Sequence, residues 1–139
     1  MLDDALPDMP ARLAMVTGRL NRRLRAAGGE LSHGLLSALA TVSKQGPLRL
    51  AELSQLESVS APSTTRLVAE LESRGFVSRE SDPDDGRAIL ISITAQGEGM
   101  IARARAARAE MIATLLGDLT PDEMAAITVA VPALERAIE

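Results

Sequence analysis

Residues 60–66 place four hydroxyl side chains and one arginine within two turns of a predicted helix. They are Ser60, Ser63, Thr64, Thr65 and Arg66. A serine or threonine hydroxyl can hydrogen-bond to a phosphate or a base edge, and a guanidinium can bind guanine through two hydrogen bonds. This set therefore suits contact with the major groove of a DNA duplex. Taken singly, each hydroxyl is about as often a structural helix cap, and Arg66 alone is an ordinary solvated charge.

A second cation is predicted on a narrow turn further along the chain. The segment 81–87, Ser-Asp-Pro-Asp-Asp-Gly-Arg, is dense in residues that favour turns, and it places Arg87 at or near an exposed tip. A long cation on such a tip can enter the minor groove, where the phosphates concentrate negative potential. Without further context, a turn of this composition is an ordinary surface hairpin.

Two short helices are predicted to hold the hydroxyl-rich segment. Leucines at positions 50, 53 and 56 recur at the spacing of one helix face and predict a helix over residues 50–57. Residues 58–60 break this pattern as a turn. Ser60 is a suitable N-cap and Pro62 fits a first turn, so the second helix begins near Ala61. Its predicted buried residues are Thr64, Leu67, Val68 and Leu71. The residues predicted to point away from the core are Ser63, Arg66 and Glu70, with Thr65 beside them.

A β-hairpin is predicted after Gly75, which can adopt the left-handed conformation that ends helices. Residues 76–80 alternate like a strand, and residues 89–94 are rich in β-branched side chains, with the isoleucines at 89, 91 and 93 on one face. The order of helix, turn, helix, strand, charged turn and strand within about 45 residues is typical of a winged helix. This order carries more weight than any single residue in it.

The chain resembles the MarR family of bacterial winged-helix transcriptional regulators. Three stretches carry the resemblance: residues 50–57 together with 60–76, the wing 82–88, and residues 90–97. The family usually has two successive arginines in the wing. Gly86 stands here in place of the first, which removes one positive charge, and Arg87 matches the second.

The resemblance implies roles for individual residues. Ser63, Thr64 and Arg66 are the implied contacts of the recognition helix, and Arg87 is the implied minor-groove contact. Asp85 is expected to orient Arg87 through an ion pair rather than to touch DNA. These assignments make the protein a double-stranded DNA-binding transcriptional regulator, and the fold mainly α (α+β).

Further helices are predicted on both sides of the winged helix. The first has an apolar stripe that Gly28 and Gly29 should end. The stripe consists of Met9, Leu13, Val16, Leu20 and Leu24. Ser32 is predicted to cap the next helix, which buries leucines 35, 36 and 39 with Val42 and closes at residues 45–47. Residues 48–50 are predicted to form a short third strand against the wing.

Two more helices are predicted after the wing. Thr94 caps a long one over residues 95–116, and Thr120 caps the last, where Glu123 completes a capping box. The apolar seam of the last helix consists of Met124, Ile127, Val131, Leu134 and Ile138. Pro132 interrupts this seam and predicts a kink or break near residues 130–131, because proline removes one ladder bond.

The predicted organisation has three parts. Residues 1–30 form an N-terminal dimerisation helix, residues 31–94 the winged helix-turn-helix lobe, and residues 95–139 the C-terminal dimerisation helices. Within the lobe, the recognition helix spans about 61–74 and the wing about 77–94. The resemblance implies a homodimer of interleaved terminal helices that binds a pseudo-palindromic operator, with its two recognition helices about 34 Å apart.

The resemblance also implies a small-molecule effector that releases a repressor from DNA, such as a lipophilic or phenolic acid. A cleft between the lobe and the dimerisation helices has Arg19, Arg22, His33 and Met100 as candidate ligand-binding residues. The basic run from Arg19 to Arg25 is explained more simply as a solvated helix face than as a nonspecific phosphate contact or a lining for an anionic ligand.

Composition excludes several other functions. The 139 residues contain no cysteine and one histidine, which rules out thiolate and disulfide chemistry and predicts no metal or other cofactor. The one aromatic residue, Phe76, provides no base-stacking platform for single strands. Without a nucleophile–base pair or a paired-acid site we predict no enzyme. No long apolar run or basic leader is present, which predicts a cytoplasmic protein without membrane contact.

The acidic balance keeps one alternative open. The formal net charge is −4, and residues 44–87 carry six basic and eight acidic side chains. A winged helix can also serve purely as a protein-interaction module without DNA-binding activity, and a negative charge favours that alternative. DNA binding then depends on how the few cations are placed.

Overall fold

The computed structural model describes residues 8–27 and 29–139. Residues 1–7 and Gly28 lie outside the described residues. Two expectations fall on them: that Gly28 helps to end the first helix, and that the chain has no basic leader. The described chain is mainly helical, with one small sheet, as predicted. Its elements are α1 (Met9–Ala27), α2 (His33–Gln45), β1 (Leu48–Arg49), α3 (Leu50–Glu57), α4 (Ala61–Ser73), β2 (Val77–Ser81), β3 (Ile89–Ile93), α5 (Ala95–Leu116) and α6 (Pro121–Ile138).

Hydroxyl side chains begin four of the helices, and each accepts a hydrogen bond from the backbone N–H three residues later. The distances to these N–H groups are 3.4 Å from Ser32, 3.3 Å from Ser60, 3.0 Å from Thr94 and 3.2 Å from Thr120. Glu123 in turn accepts from the Thr120 N–H at 2.9 Å and completes the predicted capping box. Each cap occupies an otherwise unpaired donor at a helix start, and this explains why these four boundaries were predictable from sequence.

The three strands form an antiparallel sheet in the order β1-β3-β2. Leu48 pairs with Ile91, and Val77 pairs with Ile93. The predicted third strand is therefore confirmed, except that Leu50 begins α3 instead of continuing β1. The hairpin of β2 and β3 forms the wing, and β1 pins its root against α3.

One core fills the lobe formed by α2, α3, α4 and the sheet. Leu39, Leu53, Leu71 and Ile91 are completely buried. Burial depends on aliphatic side chains because Phe76, 6% exposed, is the only aromatic residue. The N-terminal half of α5 packs on this core through three side chains, Met100, Ile101 and Ala104.

The start of α5 is joined to the end of the α4 helix. Gly75 has a φ of +78°, as its predicted role in ending α4 requires. Thr94 donates from its hydroxyl to the Gly75 carbonyl at 2.6 Å and from its backbone N–H to the Phe76 carbonyl at 3.0 Å. A Cβ at Gly97 would collide with the Phe76 carbonyl, so only glycine allows this close approach. These contacts fix α5 relative to α4.

Two helices differ in detail from what their sequence patterns suggest. Leu56 shares a predicted helix face with Leu53 but is 47% exposed, so this face of α3 is buried only in part. Of the kink or break predicted near residues 130–131, the break is absent, since α6 continues through Pro132 to Ile138. A helix interrupted by one proline loses a single ladder bond, and the turns on both sides of Pro132 are sufficient to continue it.

Candidate DNA interface

Helix α4 presents one face to the core and the opposite face to solvent. Thr64, Val68 and Leu71 are buried, and Leu67 is partly buried beside them. The exposed residues directly opposite follow the helical spacing of four, three and four. They are Pro62, Arg66, Ala69 and Ser73. Thr65 and Glu70 are exposed at the two edges of this stripe. The outward positions of Arg66 and Thr65 agree with the sequence pattern. Those of Ala69 and Pro62 were not predicted, although a full helical projection from the core residues identifies them.

Most hydroxyl protons at the start of α4 are used within the helix. Ser60 donates to the Ser63 hydroxyl at 2.9 Å, and Thr65 donates to the Ala61 carbonyl at 2.9 Å. The Ser63 hydroxyl accepts from Ser60, and its own proton has no acceptor among the described residues. Ser63 is therefore the residue of this group that can donate to a phosphate or a base.

Thr64 is a core residue, and its predicted DNA contact is wrong. Its side chain is 1% exposed and its hydroxyl donates to the Ser60 carbonyl at 3.0 Å. The apolar spacing of α4 already placed Thr64 on the inner face, so the periodicity was a better guide to this position than the family pattern. The hydroxyl satisfies its hydrogen bond locally, as a buried polar group must.

The wing tip is a tight turn with Arg87 exposed on it. Asp85 accepts from the Arg87 backbone N–H at 3.1 Å through its carboxylate, and the Asp85 carbonyl accepts from the Ala88 N–H at 2.9 Å. The predicted ion pair between Asp85 and Arg87 is absent among the described residues. Asp85 acts on the backbone instead, because a carboxylate two residues before an N–H closes an Asx turn more readily than it reaches the end of an arginine.

An ion pair that sequence analysis missed holds the root of the wing. The Arg49 Nη2 donates to Asp82 Oδ2 at 2.6 Å, and Nε donates to the same oxygen at 3.1 Å. The other carboxylate oxygen accepts from the Asp84 N–H at 2.9 Å. These bonds hold the pKa of Asp82 below its ordinary value, and the bond from the Asp84 backbone has a larger effect than the bond from Arg49. Asp82 thus ties the wing to the residue that precedes α3.

Ion pairs within the lobe reduce the number of cations available to DNA. Arg74 lies 2.8 Å from Glu70, Arg79 lies 3.3 Å from Glu72, and Arg49 is held by Asp82. Within the part of the chain that the structure describes, the lobe's basic residues without an ion pair are Lys44, Arg66 and Arg87. Two of these three are the residues assigned to the recognition helix and to the wing. Although the lobe has more acidic than basic residues, two of its unpaired cations therefore lie on the elements assigned to DNA contact.

The four candidate ligand-binding residues do not line one cavity. Arg19 and Arg22 line an open groove of about 410 Å³ between α1 and Leu115 of α5. His33 lines a separate cavity of about 210 Å³ beside Glu57. Met100 is 3% exposed and lies at the wall of a third cavity of about 130 Å³. The prediction of one shared site is wrong because the residues lie on different faces of three helices, which sequence spacing alone cannot reveal.

Neither metal chemistry nor membrane insertion is indicated by the described residues. They contain no group of three or more histidine, aspartate or glutamate side chains placed to hold a metal ion. None of the described helices combines the length and the apolar composition needed to cross a membrane. The exposed face of α4 and the wing tip remain the strongest candidate site.

Comparison with known proteins agrees with this geometry. The MarR family model matches residues 31–89. An HTH-type transcriptional regulator of Mycobacterium tuberculosis is 38% identical over 122 residues, covering 84% of this chain and 85% of the relative. The crystal structure of a transcriptional regulator from Thermotoga maritima has a TM-score of 0.78 and 25% identity, over 92% of this chain and 94% of that chain.

A DNA complex is among the similar structures. A variant of Staphylococcus aureus MepR bound to an oligodeoxyribonucleotide has a TM-score of 0.72 over 94% of this chain and 98% of that chain. At 16% identity this likeness shows a shared fold. The extent of the similarity to the mycobacterial regulator, together with the family match over the winged lobe, is sufficient for assignment. This chain belongs to the MarR family of winged-helix transcriptional regulators, which are not enzymes.

Proposed function

We propose that the protein is a homodimeric repressor that binds a pseudo-palindromic operator in double-stranded DNA and leaves it when a small molecule binds. The observation that carries this proposal is the position of the unpaired arginines. Arg66 lies at the centre of the exposed face of α4 and Arg87 lies on the wing tip, while Arg49, Arg74 and Arg79 are paired with carboxylates of the lobe. A helix that fits the major groove and a wing that reaches the minor groove each keep one cation free for DNA.

The small number of unpaired cations limits the electrostatic part of the affinity. Each neutralised phosphate adds roughly 0.9 to the slope of log affinity against log salt concentration. With Lys44, Arg66 and Arg87 from both protomers, we expect a slope no steeper than about −5 from these side chains. The affinity must then depend on two half-sites bound together and on base contacts.

Exposed apolar faces on the terminal helices support the homodimer. Met9, Leu13 and Val16 of α1 are 40–55% exposed, and neither α1 nor α6 contains a buried residue. The seam residues of α6 are 37–85% exposed. They are Met124, Ile127, Val131, Leu134 and Ile138. A second copy of the chain covers both faces if residues 1–30 and 95–139 form the dimerisation region.

The charges of the two terminal helices favour the same arrangement. Helix α1 carries five arginines and no acidic residue. Helix α6 with Glu139 carries four acidic residues and one arginine. Packing of α6 from one protomer near α1 of its partner brings opposite charges together, whereas contact between two copies of α1 brings like charges together.

A small anionic ligand is the proposed effector. The groove that Arg19 and Arg22 line also has an apolar wall of Val16, Leu20 and Leu115, a combination that suits a lipophilic or phenolic acid. Binding there changes operator affinity only if the ligand prefers a spacing of the two recognition helices that does not fit DNA. Because the groove lies between α1 and α5, and α5 is fixed to α4 through Thr94, a ligand can act on that spacing.

The experiment that tests DNA binding is selection of fragments from the source genome, followed by titration of the selected duplex. We expect Arg66→Ala and Arg87→Ala each to weaken binding about tenfold or more, because each loses a charge-assisted contact. Arg105→Ala, which removes an exposed arginine of α5 outside the lobe, is the matched control. Equal affinity of all three variants with unchanged dimer mass would contradict the contact assignments. If no duplex is preferred, the protein-interaction alternative, which the lobe's acidic sum favours, is supported instead.

A further inference from the structure

The outward stripe of α4 has one polar recognition group with apolar groups on both sides of it. Its members Pro62, Arg66 and Ala69 are all exposed and lie opposite the buried side of the helix. Pro62 presents a ring of methylene groups and Ala69 a single methyl. At 1.5 Å per residue, these two lie roughly 6 Å and 4.5 Å from Arg66 along the helix axis.

Three polar side chains in or beside this stripe are already occupied. The Thr65 hydroxyl donates to the Ala61 carbonyl at 2.9 Å, so its methyl group and its oxygen lone pairs remain. The Ser73 hydroxyl donates to the Glu70 carbonyl at 2.8 Å, and the Glu70 carboxylate is bound by Arg74 at 2.8 Å. None of these groups has a hydrogen-bond donor left for a base edge. Within the outward stripe itself, Arg66 is the remaining donor among the described residues. Ser63, the other side chain of α4 with a proton to donate, is half-buried and lies off the stripe.

Each base pair shows a different pattern in the major groove. Guanine presents two acceptors, N7 and O6, which match a guanidinium, and thymine presents the only apolar group, its 5-methyl. An apolar side chain next to cytosine N4 or adenine N6 would leave that donor without a partner, and a buried unpaired donor lowers affinity. The stripe is thus complementary to one guanine with thymines beside it.

We infer that Pro62 and Ala69 are specificity-determining residues, and that each operator half-site contains a guanine read by Arg66 with a thymine methyl on either side, packed against Pro62 and Ala69. This inference rests on the proposed function, because it assumes that α4 occupies the major groove. Adjacent base pairs are 3.4 Å apart, so the thymines lie within about two base pairs of the guanine.

Base analogues in the selected operator test the inference. Replacement of each thymine near the guanine by deoxyuridine removes the methyl group and keeps the base pair. We expect about a fourfold loss of affinity for each contacted methyl. Replacement of the guanine by 7-deazaguanine removes N7, and we expect about a tenfold loss.

Variants assign each effect to a side chain. Arg66→Ala should bind the 7-deazaguanine and unmodified operators equally well. Ala69→Gly and Pro62→Ala should each abolish or reduce the deoxyuridine effect on one side of the guanine. Ala40→Gly, at an exposed position of α2, has the same helix-propensity cost as Ala69→Gly and should keep both analogue effects.

The outcomes separate this inference from the proposed function. Sequence-specific binding that does not respond to loss of the methyl groups, or an operator without thymine within two base pairs of the guanine, overturns the inference and leaves the DNA-binding function intact. Absence of any preferred duplex overturns both. Analogue effects that disappear only in the matching variants support the inference.

Discussion

The winged lobe and the terminal helices differ in how much of their apolar surface and charge a single chain buries or pairs. In the lobe, leucines 39, 53 and 71 are fully buried, and three of its arginines are paired with carboxylates. Helices α1 and α6 have no buried residue and expose apolar faces along their length. The lobe can therefore form its core from its own residues, whereas the terminal helices need another surface to cover their apolar faces. Under the proposed function, the lobe carries DNA recognition and the terminal helices carry assembly.

The two regions also distribute charge differently. The lobe mixes acidic and basic residues and pairs them locally, which leaves few cations for DNA. All charged residues of α1 are basic and most charged residues of α6 are acidic. Few opposite charges within each helix can pair with them, so they remain available to a partner. Local pairing weakens the attraction of the paired arginines for phosphate, so the unpaired cations Lys44, Arg66 and Arg87 contribute most to it. Segregated charge favours one mutual arrangement of two identical chains over others.

The largest expected effect comes from a charge placed on the seam of α6. Leu134→Glu should convert the dimer to monomer, because it buries an unpaired carboxylate in the proposed interface. Operator affinity should fall by about a hundredfold or more, since the two half-sites are then bound separately. Molecular mass in solution and a mobility-shift titration measure the two effects.

A variant on the opposite side of the same helix provides the control for this prediction. Val129 is 76% exposed and lies on the face of α6 away from the seam. Val129→Glu makes the same kind of change and should keep both the dimer mass and the operator affinity. Dissociation by both variants, or by neither, would show that the seam is not the interface.

The second prediction compares truncation in the two regions. Leu53→Ala should lower the free energy of unfolding by about 2–5 kcal/mol, because the removed side chain is fully buried in the lobe. Leu13→Ala, at a side chain 40% exposed in the single chain, should have a much smaller effect when the protein is dilute enough to be monomeric. Denaturant unfolding over a range of protein concentrations measures both. A loss at Leu13 as large as at Leu53 in dilute protein would mean that α1 has a core of its own.

The fold was predictable wherever local chemistry decides it. The bounds of α3 and α5 match the sequence expectation because a leucine spacing and a threonine cap act within a few residues. Contacts between distant residues were not predictable, and Arg49 with Asp82, 33 residues apart, is the clearest case. Periodicity cannot show which charged side chains of two separate elements meet.

The candidate site shows the same division between local and distant information. The outward position of Arg66 followed from the helical spacing around Val68 and Leu71. The DNA contact assigned to Thr64 came from a family pattern and conflicted with that spacing, and the spacing was correct. The separate positions of Arg19, His33 and Met100 depend on how α1, α2 and α5 pack. Residue spacing within each helix does not predict this packing.

The third prediction separates core from surface among neighbouring hydroxyls. Thr64→Val removes a hydroxyl that donates to the Ser60 carbonyl, and it should lower the free energy of unfolding by about 0.5–1.5 kcal/mol. Its folded form should bind the operator as tightly as the parent. Ser63→Ala should do the opposite, with nearly unchanged stability and weaker binding. Thermal melting and titration of both variants test this, and weaker operator binding by folded Thr64→Val would restore a DNA-facing role for that residue.

The smallest expected effect is the pH dependence of stability that Asp82 adds to the lobe. The pKa of Asp82 is lowered in the folded chain by the Asp84 N–H and by Arg49. A lowered pKa means that the folded state holds its proton less tightly than the unfolded state, so Asp82 stabilises the fold above its ordinary pKa of about 3.9. That contribution is lost as the pH falls through the lowered value.

Asp82→Asn should therefore melt at a lower temperature than the parent at neutral pH, and its melting temperature should decline less steeply in acid. Asp84→Asn keeps the backbone donor and is the matched control, and parallel melting curves for all three proteins between neutral and acidic pH would mean that the Arg49–Asp82 pair does not stabilise the root of the wing.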